Sequence, residues 1–549
     1  MKSNRILELD ALRGIAALLV VFFHYTIHRE ESTLGFKLGT TGVDLFFIIS
    51  GFVILMSLSR IKSAKHFVFN RLVRLYPAYW AAVTITFLVS NYIDFGVNSD
   101  IYLQKNFIDY FINLTMFQMY FEVGDIDGPY WTLVLEMLFY ILMLILLLTR
   151  QLKNIQLYGF LLIIGTVALN LGIRNSNLIQ VIFFYLPVLQ FIPLFFAGTL
   201  FYQLYTKQGK QKRIYFLIGV TFLVQLFLFK TTGRSFLFIS QLEYTAMISI
   251  YYLLFFLFIH GKLKFIVNRL TLFLGGISYS LYLIHQMISI KIVIPYLILN
   301  YGFSFWTASL CFALPLSIIL AYLITSLVEK PIGKYLKKKF ILLFIECDNS
   351  KRNTWLLSSS ILLTIIALIV LKPIFLSSSR FNIPDPKTIS VDLFMKEKNK
   401  SIFSLSMNDT LSYVNSWQNT LIEKNDSSAN VLTTKNDLYG ITFKTDNLPE
   451  FKSSKTHFYF HCKTNQLNTT DSLFYLVIEL KQDQKQMMLL KVVEVSSSFI
   501  QNKWSDFYLE CELPKITSDD YNFSLYILNS QRREMLTEEF EFFLTKLNK

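Results

Sequence analysis

The sequence predicts an all-α polytopic membrane domain of about eleven transmembrane helices, followed by a β-rich extracytoplasmic domain, a β-sandwich. Three observations carry this. Of 549 residues, 53% are hydrophobic, including 53 Phe and 30 Tyr, which lies outside the composition of soluble globular domains. The formal net charge of +14 is unevenly placed: residues 1–379 hold 32 Lys+Arg against 16 Asp+Glu, and residues 380–549 hold 20 against 22. Beyond residue 380 the long apolar stretches give way to short runs of alternating apolar and polar residues. Basic residues gathered between apolar spans are the positive-inside pattern of a membrane protein and argue against nucleic acid as a partner.

Taken in order, the apolar spans fall near residues 9–28, 42–58, 75–93, 129–149, 155–173, 180–205, 214–229, 237–259, 270–290, 302–328 and 354–372. The loop 59–74 holds Arg60, Lys62, Lys65, Arg71 and Arg74 and no acid. Alternate later loops hold Arg150 and Lys153, then Lys207 to Arg213, then Lys262 to Arg269, then Lys337 to Lys339. The segment 94–128 has six acids against one Lys. The protein is therefore expected in the cell membrane with its N-terminus cytoplasmic and its C-terminal domain extracytoplasmic. The domain reading is 1–340 for a membrane core of ten helices, 341–376 for a cytoplasmic segment and an eleventh helix, 377–437 for a linker with some weak structure, and 438–549 for the β-rich domain. The runs LYGITFKT, THFYFHC, LFYLVIEL, FYLEC and YNFSLYIL are its strands. The first span is too long for a cleavable signal peptide, and no small-residue cleavage site follows it. Four cysteines without a CxxC or His/Cys cluster give no structural metal site. Cys462 and Cys511 lie on the apolar alternation of two strands in an oxidising compartment, so a disulfide or close packing between them is expected.

The first span, LELDALRGIAALLVVFFHYTIH, organises the rest. It is long enough to cross a bilayer yet carries Asp10, Arg13, His24 and His28, and ionisable groups in a span are costly and usually functional. Arg13 and His24 are eleven residues apart, which is close to three full helical turns, so they share a face about 16 Å apart along the axis. With the topology above, His24, Asp44, Glu136 and His285 come from four different spans to the outer half of the membrane. At the basic end, RLVRLYP places Arg71 and Arg74 on one helix face, where paired guanidinium forks suit phosphate oxygens. On spacing alone, positive-inside anchoring is the simpler account of the same two arginines.

LDALRGIAALLVVFFHY, TGVDLFFIISGFVI, RLVRLYPAYW, PYWTLVLEMLFY, ISYSLYLIH and VEKP resemble, in this order, the motifs of the acyltransferase-3 family of integral membrane O-acyltransferases. The resemblance covers roughly residues 5–335 and rests on the ordered set, since each motif alone is weak. It implies a ten-helix core that takes an acyl group from cytoplasmic acyl-CoA, acetyl-CoA in the first instance, as donor substrate rather than bound cofactor. The acceptor would be a hydroxyl of an extracytoplasmic surface polysaccharide or lipid-linked sugar. It implies His24 as catalytic base or acyl-handling residue, with Arg13 below it, Asp44 and Glu136 as further acidic positions, and Arg71 and Arg74 as the donor-binding pair. Imidazole suits removal of a hydroxyl proton near neutral pH, and a carboxylate, Asp44 or Glu136, would orient the ring. Ser50, Gly51, Ser278, Tyr279 and Tyr282 fall in the same motifs. They read first as helix-packing residues and second, with His285, as substrate-lining ones.

Many members append an SGNH-type hydrolase domain, but no GDS-like nucleophile or late DxxH follows residue 373. The tail therefore reads as non-catalytic, facing glycan or a partner, and His457 and His461 read as surface or packing residues without a third metal ligand. The competing classes are a transporter exporting a glycan precursor or another anionic substrate, and a sensor whose outer domain binds ligand. No internal repeat supports the transporter.

Overall fold

The computed structural model describes residues 6–27, 34–60, 63–92, 107–121, 123–171, 177–229, 235–344 and 387–401. In the C-terminal region it describes the strands 403–406, 417–418, 422–425, 428–433, 439–445, 456–466, 474–482, 486–494, 504–513, 521–529 and 535–546. The reading of span eleven at 354–372 lies outside the described residues.

The described residues of the N-terminal region are mostly helical. Its first elements are α1 (Leu7–Thr26), α2 (Gly42–Leu58), α3 (Ala64–Tyr92), α4 (Phe107–Asn113), α5 (Trp131–Leu148) and α6 (Ile155–Leu171). There follow α7 (Asn177–Tyr185), α8 (Ile192–Tyr205), α9 (Gln211–Phe227), α10 (Gln241–Ile259), α11 (Arg269–Ile284), α12 (Ile294–Tyr301), α13 (Leu314–Leu323) and α14 (Lys330–Phe344). Among the described residues seven helices are long and apolar enough to cross a membrane, or eight if one bent pair counts as a single span. This is fewer than the ten expected up to residue 340: α1 (20 residues) and α9 (17 residues) are outside that set, and the stretch 180–205 divides into α7 and a separate Pro187–Tyr205 span.

Two helix crossings set the frame of the site. A Cβ added to Gly275 of α11 would stand 2.0 Å from the carbonyl oxygen of Asp10, so α11 lies directly on α1. A Cβ on Gly51 would stand 1.9 Å from the carbonyl oxygen of Phe195, fixing α2 against α8 in the same way. Gly51 is thus a packing residue, as its motif position suggested.

The expected span 270–290 is not one straight helix. It breaks after α11 and resumes at Ile288 at an angle of 63°. The opened turn is held by polar side chains: the Met287 N–H donates to both carboxylate oxygens of buried Asp127, at 3.1 and 3.3 Å. Periodicity shows an apolar run but not an acid from another element that satisfies a freed backbone donor.

The C-terminal region holds a helix, α15 (Val391–Lys398), and two antiparallel sheets. Its strands are β1 (Lys387–Thr388), β2 (Phe403–Ser406), β3 (Trp417–Gln418), β4 (Ile422–Asn425), β5 (Ser428–Thr433) and β6 (Tyr439–Thr445). They continue with β7 (Thr456–Gln466), β8 (Phe474–Gln482), β9 (Gln486–Glu494), β10 (Trp504–Leu513), β11 (Tyr521–Asn529) and β12 (Met535–Lys546). One sheet runs β1-β10-β7-β12-β5-β4, with β2 also paired to β12, and the other runs β3-β6-β11-β8-β9. Strands therefore also come from within 377–437, the segment read as a linker. Phe458, Phe460, Phe507 and Phe542 of the first sheet share one buried core with Phe443, Leu476, Phe523 and Leu525 of the second.

Cys462 and Cys511 both lie in this core as free thiols, which corrects the expected disulfide. Cys462 pairs with Phe507 and Cys511 with Phe458, so the two are four residues out of register on adjacent strands. That offset is about 13 Å along the strand, against the 4.4–6.8 Å between Cα atoms that a disulfide tolerates.

Candidate active site

The crossing of α1 on α11 brings together the two histidines of these helices. Nδ1 of His24 lies 2.9 Å from Nε2 of His285, and the ring centroids are 5.0 Å apart. Nδ1 of His285 lies 3.1 Å from the Leu281 carbonyl oxygen and 2.9 Å from that of Tyr282. Carbonyl oxygens only accept, so the His285 proton sits on Nδ1 and its Nε2 is an acceptor. His24 must then donate from Nδ1, which leaves its own lone pair on Nε2. Two hydrogen bonds thus set the tautomer that a base requires. Beside His24, the Tyr25 hydroxyl joins those of Ser289 and Ser317 at 2.9 and 3.0 Å, tying α1 to the helices that follow the break.

A cavity of about 410 Å³ lies among α1, α2, α3, α5, α11 and α14. Arg13, Arg71, Arg74 and Lys337 give it four cations, Glu136 one acid, and Ser50, Ser278, Tyr279 and Tyr282 hydroxyls. Ser50 donates to Glu136 Oε1 at 2.8 Å, and the Tyr140 hydroxyl donates to the same oxygen. Arg71 donates to Ser57 Oγ at 2.9 Å, lies over the rings of Phe67 and Tyr140, and keeps a buried Nε with no partner. Arg74 is ion-paired with Glu329 and lies over the Tyr279 ring. Arg13 pairs with Asp10 at 3.3 Å.

Tyr282 joins the two parts. Its side chain lines the cavity, its hydroxyl is 2.7 Å from Thr132 Oγ1, and its carbonyl anchors His285. The other motif hydroxyls are tied to backbone while facing the cavity: Ser278 donates to the Gly275 carbonyl at 3.0 Å and Tyr279 to that of Leu75 at 3.1 Å.

The candidate residues thus fall into two groups. Arg13, Ser50, Arg71, Arg74, Glu136, Ser278, Tyr279 and Tyr282 share the cavity, while His24 and His285 pair beyond Tyr282. Asp44 belongs to neither: it is buried on α2, its Oδ2 has no hydrogen-bond partner, and it does not bond to His24. Glu136 bonds Ser50 and Tyr140 rather than His24. Among the described residues, His24 is hydrogen-bonded to an imidazole, that of His285. Three further residues escaped the sequence reading. Glu329 stood in the quoted VEKP, Lys337 in a run counted only for topology, and Asp127 directly before GPYW, each without a signal of its contact.

In the C-terminal region His461 lies between two carboxylates, with Nε2 2.9 Å from Asp506 and Nδ1 3.2 Å from Glu541. Ligand atoms of His461, Asp506 and Glu539 come within 4.8 Å of one another. Lys398 pairs with Glu541, and Lys463 with Glu538 and Glu539, so the lysines offset part of the acidic charge around His461.

Apolar helices long enough to span, closed around a polar cavity and a histidine pair of which His285 is fully buried, define a multi-pass membrane protein with an internal polar chamber. The acyltransferase-3 family, described as an acyltransferase domain, matches residues 6–326. The chain belongs to this family and is an acyltransferase. "Putative acetyltransferase ORF330" of Acidianus two-tailed virus is 26% identical over 322 residues, which are 56% of this chain and 90% of that protein. No solved structure matches.

Proposed function

We propose that this acyltransferase moves an acyl group, acetyl in the first instance, from cytoplasmic acyl-CoA to a hydroxyl of an extracytoplasmic polysaccharide or lipid-linked sugar. The observation that carries the reading is the continuity from a four-cation cavity, through Tyr282, to a histidine pair whose tautomer leaves Nε2 of His24 basic. Guanidinium and ammonium groups in a cavity suit the phosphates of the donor, and Arg71, with an unpaired buried Nε, is the strongest of them. The loop charges support a donor entering from the cytoplasm, and the contact of Tyr475 with Phe236 supports a C-terminal β-sandwich on the opposite side.

In the reaction His24 Nε2 takes the acceptor hydroxyl proton as the oxygen attacks the thioester carbonyl carbon. The carbon–sulfur bond then breaks, and the departing thiolate receives that proton from His24. His285 keeps the ring oriented and accepts from Nδ1 while His24 is charged. Glu136 holds Ser50 and Tyr140 at the cavity wall beside Arg71, and the apolar spans keep water from the thioester.

The direct test compares the acyl-ester content of the cell envelope with the gene, without it, and with His24→Asn in its place. Loss of the same ester in the latter two supports the reading. Unchanged esters in both refute the proposed acceptor.

A further inference from the structure

The C-terminal domain touches the membrane region at a short element, the 3₁₀ turn Ser235–Leu237. The Tyr475 hydroxyl donates to the Phe236 carbonyl at 3.0 Å, and the two rings meet edge to face at 5.9 Å. Tyr475, Val477 and Leu528 form a buried apolar cluster with Phe236, Leu237 and Tyr526. All four strand residues belong to β8 and β11, neighbours in the five-stranded sheet. The seated face is thus a patch of that sheet, on the side away from the domain's own core.

The other side of the turn leads to His24. Phe238 meets Phe23 edge on at 5.2 Å, and the Phe23 ring is 5.1 Å from that of His24. Ser235 Oγ is 3.2 Å from Thr40 Oγ1, in the segment Phe36–Thr41 that leads into α2. A single 3₁₀ turn has little stability of its own, so its position is set by what grips it. Here the grip is the β-domain on one side and the neighbours of His24 on the other.

We infer that the C-terminal domain is a positioning element of the acyl-transfer site. Through Tyr475 and Phe236 it holds Phe238 against Phe23, which steadies the His24 ring while His285 holds its Nδ1. It also covers the end of the helices at which an acceptor would meet His24, so the acceptor is received between this domain and the membrane core. The last statement rests on the proposed acceptor; the docking and its effect on His24 do not.

The test needs neither donor nor acceptor. In the full-length chain, Phe236→Cys with Tyr475→Cys should be joined by a short bismaleimide, whose arm replaces the reach of the two lost rings. Separately, carbethoxylation of His24 by diethyl pyrocarbonate, followed by mass spectrometry with His66 as internal reference, reads how well the ring is held and covered. Tyr475→Ala and Phe236→Ala should each raise the His24 rate severalfold at a constant His66 rate, and Tyr475→Phe should stay near the parent. Phe236→Ala leaves the β-domain unaltered, so agreement between the two variants rules out mere misfolding of that domain. Absence of the cross-link, or an unchanged His24 rate in both alanine variants, overturns the inference. Loss of acyl transfer with unchanged carbethoxylation would leave only the proposed function standing.

Discussion

His24 and His285 share one hydrogen bond of 2.9 Å, and its direction follows from the carbonyls of Leu281 and Tyr282 that occupy the other nitrogen of His285. Replacing the base should cost far more than replacing its partner. His24→Ala and His24→Asn should each lose on the order of 10²–10⁴-fold in kcat while the protein still inserts. His285→Gln retains an oxygen that can accept from Nδ1 and should keep most activity, whereas His285→Leu should lose on the order of 10²-fold with donor KM unchanged. A normally abundant, active His24→Asn variant would refute the assignment, because a helix-bridging bond averages only about 0.6 kcal/mol.

Arg71 and Arg74, three residues apart on α3, are not equivalent. Arg74 is balanced by Glu329, while Arg71 has no acid partner and a buried unsatisfied Nε. Arg71→Ala should therefore weaken donor binding by roughly 1.5–3 kcal/mol, read as about ten- to a hundredfold in acyl-CoA KM. Arg71→Lys should recover part of this, since the fork is lost but the charge stays. Arg74→Ala strands the Glu329 carboxylate and should lower abundance, by about 1–3 kcal/mol of stability. The pair Arg74→Ala with Glu329→Gln should restore abundance. A double variant as poorly folded as the single one would show that the ion pair is not the cause.

The helical membrane region, the β-rich tail and eight of the residues that line the cavity were legible in the sequence, because apolar length, strand alternation and ordered motifs are local signals. What escaped depends on contacts between distant segments. The α1–α11 crossing at Gly275 turns two histidines, separately conspicuous, into one hydrogen-bonded unit. Of the carboxylates expected to orient His24, Glu136 accepts from Ser50 and Tyr140, and Asp44 is buried on α2 with an Oδ2 that has no hydrogen-bond partner. The break at His285 depends on Asp127, which no periodicity links to it. Strand register decided the cysteines in the same way: both sat correctly on the inward alternation, yet four residues out of step.

That register gives a simple expectation. Denatured without reductant, the full-length chain should show both Cys462 and Cys511 as labelled thiols, and reductant should not lower the unfolding temperature of the tail. Burial raises the Cys462 thiol above its ordinary range, so labelling of the native domain should be slow even at alkaline pH. One missing thiol after denaturation, or a reductant-sensitive transition, would contradict the strand pairing.

The tail should also carry a pH signature in its stability. Burial alone would lower the pKa of His461, but its hydrogen bonds to Glu541 and Asp506 outweigh burial and raise it above 6.5. The imidazolium is therefore stabilised in the folded domain. Its contribution is fully present below pH 6.5 and is lost as pH rises through the folded value, because the unfolded chain has already released the proton. Glu541 runs the other way. Burial favours its neutral form, but the bonds from His461 and Lys398 prevail and hold its pKa below 4.5. Its contribution is present above pH 4.5 and is lost as pH falls through the folded value. Resistance of the tail to thermal proteolysis should thus be greatest between pH 4.5 and 6.5 and decline on both sides. In His461→Gln the decline above pH 6.5 should flatten, since a neutral amide has no proton to lose. Parent stability that stays level or rises from pH 6.5 to alkaline pH would show that His461 is not held as the cation between its two carboxylates.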